Sequence, residues 1–150
     1  MLARHWTEAG ETEAAVAAWK KAGERADSRR AFKEAEEDYR RALEVLRRMP
    51  PSSARDGPEL ELTSALGKVL LVTKGYSAPE TASLASHARD LAAKTGNLAQ
   101  LVLQGYGAWN VALVSGDHPG AMAITRALLS FAQRDGTSAT FAFAHAAHLL

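Results

Sequence analysis

The best-spaced pair of side chains for chemistry is His145 and His148, because three-residue spacing on a helix turns both imidazoles to one face, where they could share a metal ion. A catalytic zinc site takes three protein ligands, and the nearest acid in sequence is Asp135. Phe141 and Leu149 share the face, so the pair is read as packing or an interface, and no metal is expected. His5, His87 and His118 are isolated in sequence. The Gly105-Tyr106-Gly107 stretch lies inside an apolar helical pattern, follows no strand and has no lysine after it. A phosphate loop needs all three of the features it lacks, so it is read as a place where two helices come close, and no cofactor is expected. There is no cysteine, which removes disulfides and thiolate chemistry together, and no G-x-S-x-G or H-E-x-x-H occurs. No catalytic residue is assigned, and the chain is not expected to be an enzyme.

Binding chemistry is the next possibility. Arg25, Arg29, Arg30, Lys33, Arg40 and Arg41 could form a basic patch, but Glu24, Asp27, Glu34, Glu36, Glu37 and Asp38 interleave with them and cancel most of the potential. With a formal charge of +1, the chain has no global field to draw it to nucleic acid or to an anionic membrane. Neither is expected as a partner. No run approaches the roughly 18 apolar residues of a membrane span, and the first residues lack the apolar core of a signal peptide, so a cytoplasmic location is expected.

The elements that would carry these residues are helices. Candidate breaks fall at Gly10, Ser28, the proline-rich stretch 50–58, residues 75–79, Gly96, Gly116 and Gly136, leaving seven or eight helical stretches and no strand. Phe32, Ala35, Tyr39, Ala42, Leu43 and Leu46 make an apolar stripe, with Glu36/Arg40, Glu37/Arg41 and Glu44/Arg48 spaced as ion pairs on the wet side. Similar stripes run through Ala15, Trp19, Ala22 and Ala26, through Leu84, Ala88 and Leu91, through Leu98 to Ala112, and through Ala121 to Phe131. Ser77 with Glu80 has the spacing of a capping box, and Asp117 precedes Pro119 as in a first turn.

Short connections make neighbouring helices antiparallel, so the chain is expected to be stacked hairpins. Trp19, Ala22, Gly23 and Ala26, followed by Ala35, Tyr39 and Ala42 and then Pro50, fit the tetratricopeptide (TPR) pattern with small residues at two places. Weaker copies start at Leu66-Gly67 and Gly116-Asp117. The expected fold is all-α, a right-handed TPR-like superhelix of about seven or eight helices forming one domain over 1–150. Residues 1–60 hold 24 of the 35 charged side chains, and 137–150 hold none with histidine neutral, so the C-terminal end is expected to be covered by more chain or to self-associate, the sequence being an excerpt of a longer protein.

The stretches LARHWTEAGETEAAVAAWKKAGERA, RRALEVL and above all ALGKVLLVTKGYSAPE resemble the C-terminal helical region of large bacterial proteins that join a class III adenylate/guanylate cyclase domain to a predicted NTPase (STAND-type) module. The resemblance covers about residues 2 to 135. It implies a non-catalytic repeat region that binds other proteins, peptides or other domains of the same parent chain. In TPR relatives the first helix of each pair lines a channel, and by register that places Lys20, Glu24, Ser64, Lys68, Tyr106 and Asn110 on the candidate interaction groove. The alternative is a small-molecule sensor with a pocket edged by Trp109, Tyr106 and Asn110.

Overall fold

The computed structural model describes residues 2–135, and these form seven α-helices and no strand. They are α1 (Leu2–Glu8), α2 (Thr12–Ser28), α3 (Phe32–Leu46), α4 (Ser53–Lys74), α5 (Pro79–Thr95), α6 (Leu98–Val114) and α7 (His118–Asp135). His145, His148, Gly136 and the uncharged end 137–150 lie outside the described residues. No described helix is long and apolar enough to cross a membrane.

Three of the helices end the same way. At the end of α1, Gly10 N–H donates to the Thr7 carbonyl and Glu11 N–H to that of Trp6; at the end of α6, Gly116 and Asp117 donate to Leu113 and Ala112. This double bond pattern needs a left-handed residue, and Gly10 and Gly116 supply it with φ of 76° and 75°. The end of α2 makes the same pair of bonds, Arg30 to Asp27 and Ala31 to Ala26, but the left-handed position is held by Arg30 at φ 59°. No glycine marks that turn in the sequence.

Two boundaries differ from the sequence reading. The proline-rich stretch is not wholly a break: α4 begins at Ser53, and the Ser52 hydroxyl caps it by accepting from Arg55 N–H at 3.3 Å. Pro58 therefore sits inside the helix, where its ring removes the one backbone bond to Ala54 at an exposed position. The Ser77/Glu80 capping box does not form, since Ala78 is the N-cap without a side-chain bond and Pro79 is the first helical residue. Glu80 is held in ion pairs instead. Asp117 does cap α7, its Oδ1 accepting from Gly120 N–H at 2.9 Å.

The described helices fall into two compact units, the first running to Gly96 and the second beginning at Asn97. In the first, α1 packs on α2, α2 on α3, α3 on α4 and α4 on α5. Its core gathers Ala15, Ala26, Ala35, Tyr39, Ala42, Leu43, Leu46, Leu62, Leu66, Val69 and Leu70, with Trp6, Trp19 and Phe32 packed against it. The α2–α3 contact is set by Gly23: a Cβ there would stand 2.7 Å from the buried Tyr39 ring, so only glycine lets the ring lie on the helix backbone. The helix α4 buries Leu60, Leu62, Leu66, Val69 and Leu70 together with Asp56, Glu59, Thr63 and Ser64, so most of its circumference is covered. In the second unit α6 packs on α7 through Trp109, Ala112 and Ala121, and Gly105 faces Leu128 so closely that a Cβ would approach its Cδ2 to 2.9 Å. The Gly105 region is thus a close helix contact, as its sequence suggests.

Candidate interaction face

Four of the six groove residues belong to the first unit. Lys20 and Glu24 are one turn apart on α2, with Lys20 Nζ 4.0 Å from Glu24 Oε1. The same ammonium reaches across to α4 and donates to Glu61 Oε2 at 2.5 Å, which raises the Lys20 pKa above its ordinary value. Ser64 and Lys68 follow Glu61 by three and seven residues, the spacing of one helix face. Ser64 is buried and Lys68 exposed. The residue missed by sequence reasoning is Glu61, the acid that links the two helices; its signal was its place one turn before Ser64, opposite a predicted cation.

The other two groove residues lie in the second unit. Tyr106 is half exposed and stacks on Trp109, with ring centroids 6.3 Å apart and planes at 22°. The Asn110 side-chain amide donates to the Tyr106 carbonyl at 3.1 Å. Trp109 is buried in the α6–α7 contact, so its ring is committed to packing.

A second constellation was not visible in the sequence. Glu59 on α4 keeps only 4% of its side chain exposed, and two guanidinium groups and an imidazole surround it. Arg47 Nε, from just beyond α3, donates to Oε1 at 3.3 Å; Arg55 Nε, one turn back on α4, donates to Oε2 at 3.0 Å; and His87 Nε2, on α5, lies 3.0 Å from Oε1. Burial pushes the carboxyl up, but the hydrogen bonds from His87, Arg55 and Arg47 and the charge of Arg55 outweigh it and hold the pKa below the ordinary carboxylate value. His87, isolated in sequence, therefore has a partner 28 residues away. Beside it Lys94 of α5 meets the buried Asp56 of α4 at 2.7 Å. A carboxylate kept ionised and occupied on both oxygens is a poor proton acceptor. The cluster is a clamp across α3, α4 and α5.

On the surface, a ring of four charges joins the same three helices. Arg40 bonds Glu36 at 2.7 Å and also Glu80, while Lys74 bonds Glu80 at 2.7 Å and Glu36 at 3.3 Å. Glu36 is lowered first by its bond from Arg40, and Glu80 first by its bond from Lys74. Arg41 pairs with Glu44, at 3.4 Å, and not with Glu37 as its spacing had suggested. The expected Glu44/Arg48 pair is present at 3.6 Å. Among the described residues no three His, Asp or Glu side chains are grouped so as to hold a metal ion. No family model, curated protein or solved structure matches the chain.

Proposed function

We propose that this chain is a non-catalytic interaction and regulatory module of a larger bacterial signalling protein of the cyclase or ATPase type, its hairpins stacked in a right-handed TPR-like superhelix. The observation that carries the reading is the Lys20–Glu61 bond. It ties α2 to α4, which are alternate helices of the chain, and in a stack of hairpins alternate helices line one common face. That face carries Lys20, Glu24, Glu61 and Lys68, charges of both signs suited to a polar protein or peptide surface. The Gly23–Tyr39 contact is the second support, since a TPR hairpin depends on small residues at that interface.

Calorimetric titration with ATP, GTP and cyclic nucleotides tests the reading, the expected result being no saturable heat. Binding at about micromolar affinity would overturn it in favour of a catalytic or nucleotide-sensing role. A thermal shift with members of a metabolite library would favour a small-molecule sensor instead.

A further inference from the structure

Away from the α2–α4 face, a cleft of about 210 Å³ opens between α1, α2 and α3. Its apolar surface is the half-buried Trp19 and the buried Val45. The indole is fixed in place: Trp19 Nε1 donates to Thr7 Oγ1 at 3.1 Å, and the Thr7 hydroxyl donates in turn to the Ala3 carbonyl at 2.8 Å. The hydroxyl accepts from the indole while its own proton is committed to the carbonyl, so the ring presents a wall that does not have to reorganise on binding.

The polar rim is uneven. Arg41 and Arg48 of the α3 region share one carboxylate, Glu44, at 3.4 and 3.6 Å, longer than the roughly 2.7–2.9 Å of a strong charge-assisted bond. Arg4 and Glu8, one turn apart on α1, complete the rim. Three guanidinium groups against two carboxylates leave one positive charge in excess beside a rigid indole. The cleft is below the roughly 300 Å³ at which sites for drug-sized ligands begin, so it fits one or two side chains and not a cofactor.

We propose that this cleft is a docking notch for a protein segment that carries a single carboxylate next to an apolar side chain, the acid meeting Arg41 and Arg48 and the apolar group lying on Trp19. The proposal rests on the interaction reading above and adds to it a second contact point, on a different part of the first unit, and the class of side chain it takes. A guanidinium pair recognises the planar carboxylate in a way it cannot recognise the uncharged amide of the same shape.

The test is a titration of the whole ¹⁵N-labelled chain with the capped tetrapeptide Ser-Glu-Leu-Ser and with its Ser-Gln-Leu-Ser counterpart, following the Trp19 indole N–H signal, assigned with Trp19→Phe. The Glu peptide is expected to move that signal with a Kd of about 1 mM, and the Gln peptide to bind about tenfold more weakly. The double variant Arg41→Gln/Arg48→Gln, whose side chains are exposed and so leave the core intact, is expected to bring the Glu peptide down to the Gln level. An unmoved indole, equal binding of the two peptides, or an unchanged double variant each overturns the assignment. Shifts confined to the amides around Glu61 and Lys68 would reject the cleft while keeping the interaction reading, whose own failure shows separately in the nucleotide calorimetry.

Discussion

Glu59 is the residue on which the first unit is most sensitive to charge. Its carboxylate is buried, which raises its pKa, but hydrogen bonds from His87, Arg55 and Arg47 together with the charge of Arg55 hold it below the ordinary carboxylate value. A carboxylate whose folded pKa is depressed contributes stability that is fully present above its unfolded value and is lost as pH falls through the folded one. Glu36 and Glu80 act in the same direction, while Asp38, raised by burial and by Glu34 and Glu37, acts in the opposite one. Glu59→Gln is therefore expected to destabilise the chain by about 1–3 kcal/mol at neutral pH and by much less at about pH 3, read from urea midpoints. A deficit of equal size at both pH values would assign the loss to packing and not to charge. Arg30 offers a second test at this scale. A non-glycine residue in the left-handed region costs about 1–2 kcal/mol, partly offset by the chain entropy glycine loses, so Arg30→Gly is expected to raise stability by about 0.5–1 kcal/mol. A lowered melting temperature would show that the Arg30 side chain matters more than its backbone.

Between elements, the glycines separate into those that set a contact and those that do not. Gly23→Ala would drive a methyl group into the Tyr39 ring, which is 2% exposed and has no room to retreat. The expected loss is about 1–3 kcal/mol, larger than the gain of up to about 1 kcal/mol in helix propensity. Gly67 also lies within a helix, but the nearest atom to a Cβ there is Leu84 Cδ2 at 3.9 Å, an ordinary contact. Gly67→Ala should therefore stabilise by about 0.5–1 kcal/mol, and thermal melts of the two variants are expected to move in opposite directions. Movement in the same direction would mean that the α2–α3 approach does not depend on Gly23. The stripe along α3 and the small residues facing Tyr39 were legible in the sequence, because helical period and side-chain size are local properties. The start of α4 was not, because a proline beyond the first turn argues against a helix, and only the burial of the rest of α4 outweighs that local preference.

For the whole molecule, the first unit has the makings of an independent fold. Its core, its buried clamp and its surface ring of charges all lie within α1 to α5. A fragment of residues 1–96 is expected to unfold in a single cooperative step, with tryptophan fluorescence from Trp6 and Trp19 and far-ultraviolet dichroism giving coincident transitions. Separate transitions, or a gradual loss of signal, would show that it needs the rest of the chain.

By itself the sequence determined that the described chain is helical, where most helices stop, and which face of α2, α3 and α5 turns inward. The glycines at 10, 75, 96 and 116 all take positive φ, and the apolar stripe residues read on α2, α3 and α5 are half-buried or buried as their spacing requires. Only the tertiary structure decided that Lys20 meets Glu61, that Glu59 gathers Arg47 and His87, and that Trp19 walls a cleft with Thr7. Backbone propensity and hydrophobic period act over a few residues and leave a trace in any short window. Pairings between residues 12 to 41 positions apart follow from how whole helices are stacked, and a long flexible side chain carries no mark of the partner it will reach.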